Sequence, residues 1–239
     1  MKTNYRNVGT CAVAIFLAAQ HNSQAATLIN TYGPSNITVT ASSFINGNTA
    51  PSKTVDASGL NTGTGTHSNG TQTSWMTTAN NNDVSDEWIQ WDLGSTYVLD
   101  SIQVWNYNDF SRFDSGLNQF DIYVASSLSD PSSDPEAGAF TADWTLIGNN
   151  VTLSKASSLA TYTGVDLETD TGISLPGSAI RYVRFEVDST HWDGAGPGNL
   201  LGEHQVGIAE IQFSEAVPEP SSTVFLGLGS LLLMFRRRK

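Results

Sequence analysis

The residue types best suited to chemistry in this chain crowd into one stretch, His191-Trp-Asp-Gly-Ala-Gly-Pro-Gly-Asn199. Trp192, flanked by His191 and Asp193, offers a flat apolar face beside planar polar groups, which is what a sugar ring with its hydroxyls requires. Packing of Trp192 beneath the long glycine-rich loop is the equal alternative. His191 and His204, with Asp193 and Glu203, have the types to converge on a metal or to form an acid–base pair. Polar residues in a glycine-rich loop are more often solvated than catalytic, and the chain has no His-Glu-x-x-His, Gly-x-Ser-x-Gly or phosphate-cradling glycine loop. These features predict a binding protein and not an enzyme, with an unrecognised carbohydrate-active enzyme as the weakest alternative.

The elements that must position these residues read as strands. Trp88-Ile-Gln-Trp-Asp-Leu93 alternates, with Ile89, Trp91 and Leu93 on one side, and Leu99-Asp-Ser-Ile-Gln-Val-Trp105 repeats the pattern after a Gly94-Ser95 turn. Phe120-Asp-Ile-Tyr-Val124, Arg181-Tyr-Val-Arg-Phe-Glu-Val187 and Val206-Gly-Ile-Ala-Glu-Ile-Gln-Phe213 do the same. A period of two over several segments marks strands with one buried face. Glycine, asparagine, serine, threonine and aspartate fill the joins at 57–74, 108–118, 129–138 and 193–202, and loops of that length are uncommon unless they bind something. Ser129–Glu136 reads as an exposed insertion with no necessary function. The prediction is an all-β chain folded as a single jelly-roll β-sandwich.

Both ends of the chain differ from this middle. Lys2 and Arg6 precede an apolar stretch from Val8 to Ala19, and Ser23-Gln-Ala25 supplies the small residues of a cleavage site, so residues 1–25 read as a secretory signal peptide. The single cysteine, Cys11, lies inside it, so disulfides are not expected in the exported protein. At the other end Val217-Pro-Glu-Pro-Ser-Ser222 leads into 13 apolar-rich residues, Thr223–Phe235, and then Arg236-Arg-Arg-Lys239. A spanning helix needs about 20 residues, so this short transmembrane helix is marginal for staying in a bilayer, with a simple C-terminal anchor as the alternative and the basic residues on the cytoplasmic side. Over residues 26–235 five Lys and Arg face all 23 Asp and Glu, a balance that repels phosphates and excludes nucleic acid as a partner.

Two resemblances organise these observations. Thr54-Val-Asp-Ala-Ser-Gly-Leu60, His67-Ser-Asn69, Trp88–Gly94, Ile102-Gln-Val-Trp-Asn-Tyr-Asn108, Phe120–Tyr123, Arg181–Phe185 and Gly207-Ile-Ala-Glu-Ile211, in that order, resemble the coagulation factor V/VIII type C, or discoidin-like, domains of exported bacterial proteins, which are galactose-binding-like jelly rolls. The tail is similar to the PEP-CTERM sorting signal, with Pro218, Glu219 and Pro220 as the motif, and this implies an exosortase-type processing enzyme as partner. The chain then divides into a signal peptide (1–25), a leader segment (26–35), the discoidin-like sandwich (36–214) and the sorting tail (215–239). Expected localisation is export, transient inner-membrane insertion through 223–235, then the cell surface or extracellular matrix.

The first resemblance also implies sites. A structural calcium is expected near Asp56, the Ser58 backbone and Glu210, since calcium takes six to eight oxygen ligands. Ala57 stands where that family commonly has glycine, which permits a turn that alanine resists. The ligand surface is expected in loops at one end of the sandwich, with Trp75, Arg112, His191, Trp192 and Asp193 as contacts to a glycan or exopolysaccharide. Protein–protein adhesion within a matrix is the second expectation.

Overall fold

The computed structural model describes residues 27–30, 36–70, 72–78, 83–136, 141–192 and 204–217. The expected signal peptide, Asp193, the motif Pro218, Glu219 and Pro220, and the apolar run 223–235 lie outside the described residues. Among the described residues no helix is long and apolar enough to cross a membrane.

The strands are β1 (Thr27–Leu28), β2 (Thr38–Ala41), β3 (Leu60–Asn61), β4 (Thr66–His67), β5 (Trp75–Met76), β6 (Trp88–Asn106), β7 (Leu117–Ala125), β8 (Thr145–Thr152), β9 (Val165–Asp166), β10 (Ala179–Thr190) and β11 (Gly207–Glu215), with one short helix, α1 (Leu167–Thr171). The first limb of β6 pairs with β2 and β10, and β10 continues through β7 to β8. The second limb pairs with β11 and β9, and β11 adds β1 and β5 at its two ends. All these pairings are antiparallel.

Sequence predicts two strands where the structure has one. β6 runs through the corner between the sheets, and Gly94 takes φ +78° there, with Asn36 O 3.1 Å from where a Cβ would stand. Hydrogen bonding continues past the bend because Ile180 still pairs with Tyr97 and Ala179 with Val98. A 19-residue strand thus joins two sheets and closes a sandwich.

Period-two alternation sets the core. Ile89, Trp91, Phe120, Ile122, Val183 and Phe185 are fully buried from one sheet, and Ile102, Val104, Ile211 and Phe213 meet them from the other. Trp91 is the hinge of this packing, edge-on to Phe185 at 4.9 Å and to Phe213 at 6.1 Å, with its indole donating to Thr54 Oγ1 at 2.9 Å. Such aromatic pairs add about 0.5–1.5 kcal/mol beyond area burial.

The 129–136 segment is exposed at most positions but is fastened to the outer face of β10 and its neighbours. Arg184 is buried on that face, ion-paired with Glu186, and its guanidinium stacks 4.0 Å over the Trp88 ring. Pro131 O accepts from Gln90 Nε2 at 3.1 Å, and Ser133, itself buried, accepts the Trp144 indole N–H at 3.1 Å. A largely exposed segment therefore forms a strap through Pro131 and Ser133, because β10 carries polar side chains outward that need covering partners.

Candidate ligand surface and the turn beside it

Three strands end together at one pole of the sandwich. Asn106 closes β6 opposite Ile208, Thr190 closes β10 opposite Leu117, and Gly207 opens β11 against Met76. The loops that follow are tied by buried amides. Asn106 donates to Leu117 O (2.7 Å) and Ser154 O (3.0 Å) and accepts from the N–H groups of Tyr107 (2.9 Å) and Leu117 (2.8 Å). All four capacities of that amide are used, and the 107–117 loop is fixed at both ends. Asn108 Nδ2 reaches Leu159 O at 2.8 Å and the carbonyls of His67 and Ser68 at 3.3 Å, which joins three loops.

On this frame sits Phe110, 63% exposed, with its N–H bonded to Asn69 O at 3.2 Å, while Asn69 reaches Ser158 O at 2.9 Å and leaves Leu159 58% exposed. The Asp109 carboxylate accepts from Ser111 N–H and Oγ at 2.8 and 2.7 Å and sets the turn that lifts Phe110. Arg112 is exposed, 3.5 Å from Gln205 Oε1. Beneath it Asp114 pairs with Lys155, whose ammonium lies 4.6 Å from the Phe113 ring centroid.

The structure places Arg112, His191 and Trp192 at this pole. His191 is half-buried, its N–H bonded to Gly116 O at 3.0 Å, and burial holds its pKa below the usual histidine value. Lys155 pushes the same way and Asp114 opposes. Trp192 is half-buried and meets the His204 ring edge-on at 4.1 Å. Asp193 lies outside the described residues. Trp75 corrects the expectation: it is fully buried, its indole donates to Ser43 O at 3.0 Å, and no face is free to stack on a ligand. Pairing of β5 with β11 turns its side chain into the core. Phe110, Leu159, Lys155 and Gln205 carry no motif that marks them in the sequence, although an aromatic in the polar run Asn108-Asp-Phe-Ser111 has no strand period to bury it.

Asp56, Ser58 and Glu210 also come together. Ala57 adopts φ +58° at the head of a turn, and its N–H points to Glu210 Oε1 at 3.3 Å. Asp56 Oδ1 accepts from Ser58 N–H at 2.8 Å and from its hydroxyl, while Oδ2 meets Lys53 Nζ at 2.8 Å. Glu210 is 1% exposed, its Oε2 has no partner, and burial pushes its pKa up to about 9. The nearby Asp56 charge adds to that rise, whereas the Ala57 N–H and Lys53 oppose it. A buried carboxylate with a bare oxygen, next to a second carboxylate, fits a hard cation such as calcium. Ser58 fits less well, because its carbonyl faces His67 Nε2 at 3.1 Å. Among the described residues no three His, Cys, Asp or Glu side chains gather around one metal position, so backbone oxygens and water would fill the sphere.

A family model, DUF5000, described as a domain of unknown function, matches residues 64–213, and a PEP-CTERM protein-sorting motif matches residues 216–239. No curated protein matches the chain. Among solved structures, chitosan-binding module 1 from a chitosanase/glucanase of Paenibacillus sp. IK-5 is 17% identical over 79% of this chain and 98% of its own, with a TM-score of 0.47. The family 32 CBM of C. perfringens NanJ, solved with galactose, is 16% identical over 79% of this chain and 98% of its own, with a TM-score of 0.43. A family 89 glycoside hydrolase from Clostridium perfringens is 20% identical over 82% of this chain, which spans only 16% of that enzyme, with a TM-score of 0.40.

Proposed function

The chain belongs to DUF5000, a family described as a domain of unknown function, and ends in a PEP-CTERM sorting motif; from that premise we propose an exported protein that binds glycan without catalysis, sorted by an exosortase-type enzyme. Its place of action is the cell surface or extracellular matrix. The observation that carries this reading is Phe110, 63% exposed on a loop whose backbone is fastened by the buried amides of Asn106 and Asn108. An exposed aromatic on a fixed loop costs little entropy when a sugar stacks on it. Arg112 and Gln205 supply planar polar groups beside it. With five Lys and Arg against 23 Asp and Glu over residues 26–235, the protein favours neutral or cationic glycans over anionic ones.

The test is calorimetric titration of the exported protein with galactose, chitosan oligosaccharides and the host's own exopolysaccharide. Phe110→Ala and Arg112→Ala should each weaken binding about tenfold, the loss of about 1.4 kcal/mol. Indifference of the protein to every glycan, or full affinity in both variants, sinks the reading. Retention of a protein partner in place of glycan favours matrix adhesion.

A calcium ion held by Asp56 and Glu210 belongs to this proposal. When bound it would supply the positive charge that Glu210 Oε2 lacks. These residues would then hold the 56–59 turn, and through His67 and Asn108 the Phe110 loop, in one arrangement.

A further inference from the structure

The loop pole and the sorting tail lie at opposite ends of one strand. β11 begins at Gly207, against Met76 and the ligand loops, and ends at Glu215, opposite Leu99 and Thr27. Ala216 N–H is still fastened to Val98 O at 2.8 Å, so the body of the protein reaches to within two residues of Pro218. The pole at which the tail leaves is the bend of β6, where Gly94, Ser95, Thr96 and Val98 are exposed.

Two lengths decide what this permits. The nine residues of β11 rise about 30 Å from base to loop pole. From Ala216 to Thr223, where the apolar run starts, there are seven steps, and a fully extended chain covers about 25 Å. Pro218 and Pro220 favour a shorter rise of about 3.1 Å per residue, and the headgroup layer takes up roughly 5–7 Å of what remains. The leash is therefore shorter than the domain is tall. Lying flat turns the loop pole sideways, and the acidic body is repelled by anionic headgroups.

We infer that while the tail is in the membrane the sandwich stands on its β6 bend and presents Phe110, Leu159 and Arg112 outward, since the short leash forbids inversion and repulsion of the acidic body opposes tilting the loop pole onto the bilayer. The exposed apolar residues at the loop pole then serve a partner in the matrix, a polyhydroxylated one under the proposed function, and not lipid of the anchoring membrane. Ligand can be captured before the tail is cut. The orientation rests on membrane residence of the tail, not on the identity of the ligand.

Single cysteines test it in a Cys11→Ser background, which has no other cysteine. Leu159→Cys and Thr96→Cys are made in the full chain, and cells lacking the sorting enzyme are converted to spheroplasts. A bulky, membrane-impermeant maleimide is then applied to the membrane-held protein and to the released form. Leu159→Cys should react at the same rate in both forms, and Thr96→Cys several-fold more slowly in the membrane-held form. A long Gly/Ser linker between Val217 and Pro218 should abolish that protection. A membrane pool with equal labelling at both positions, or with protection at Leu159→Cys, overturns the inference alone. Absence of a membrane pool overturns the tail reading and the inference together.

Discussion

Glu186 and Glu210 sit on opposite sheets of the sandwich, and burial lifts both carboxyls, to about 7 and about 9. Their surroundings differ in one respect. Glu186 has a resident cation, the buried Arg184, which is held from its other side by the Trp88 face. Glu210 has the Ala57 N–H on one oxygen and nothing on the other, while the nearest ammonium, Lys53, is spent on Asp56 at 2.8 Å. The first is a finished ion pair that holds a strap. The second is an acceptor that only a proton or an added cation completes, and it lies next to the turn that supports the ligand loops.

The largest effect expected from this contrast is Arg184→Ala. Removing one partner of a buried pair leaves an uncompensated charge and costs about 3–5 kcal/mol. Urea unfolding should show that loss, and Arg184→Met combined with Glu186→Leu should recover most of it. A loss below about 1 kcal/mol would place the pair among surface ion pairs and erase its difference from Glu210.

Next in size is calcium. At a concentration 100-fold above its Kd, a ligand that binds only the folded state adds about 2.7 kcal/mol. For a domain of this size that raises the Tm by about 5–10 °C. Wild-type protein should show the rise in a thermal melt, and Glu210→Gln should lose it. Equal melting with calcium and with chelator, in the wild type, would leave Glu210 a buried neutral acid.

A smaller effect appears in the pH dependence without divalent cation. Glu210 titrates near 4.5 when unfolded and about 9 when folded, so the stability it confers is fully present below 4.5 and drains away as pH rises toward 9. The same drain for Glu186 ends near 7, because Arg184 favours its charged form. Melts in chelator between pH 7 and 9 should therefore fall with pH in the wild type and flatten in Glu210→Gln. Calcium should flatten the wild type as well, by keeping the carboxylate charged.

Legibility in the sequence followed the physics of each region. Alternation exposed the inward residues of β6, β7 and β10, because a period of two has one meaning when one face is dry. It also concealed the strap, since Arg184 and Glu186 occupy the outward positions of the same strand and read as solvent-facing. Trp75 misled for a related reason: a two-residue strand has no period, so sequence offered only a tryptophan in a polar loop. Phe110 is not legible in the sequence because its exposure depends on amides of Asn106 and Asn108 that bond to distant carbonyls, and no local pattern announces that.

The smallest prediction concerns the turn itself. Ala57 at φ +58° occupies the left-handed region, which costs an L-residue with a Cβ about 1–2 kcal/mol. Glycine there avoids that cost and pays about 0.5–1 kcal/mol in backbone entropy. Ala57→Gly should therefore stabilise the protein by about 0.5–1 kcal/mol, a rise in Tm of about 1–4 °C. Gly59, at φ +87° in the same turn, behaves oppositely, since a Cβ would stand 2.8 Å from His67 Cε1 and 2.7 Å from Ser68 Oγ. Gly59→Ala should lower the Tm while Ala57→Gly raises it. If both lower it, the Ala57 Cβ contributes packing that outweighs its strain, and the turn is held by the side of Glu210 more than by its own backbone.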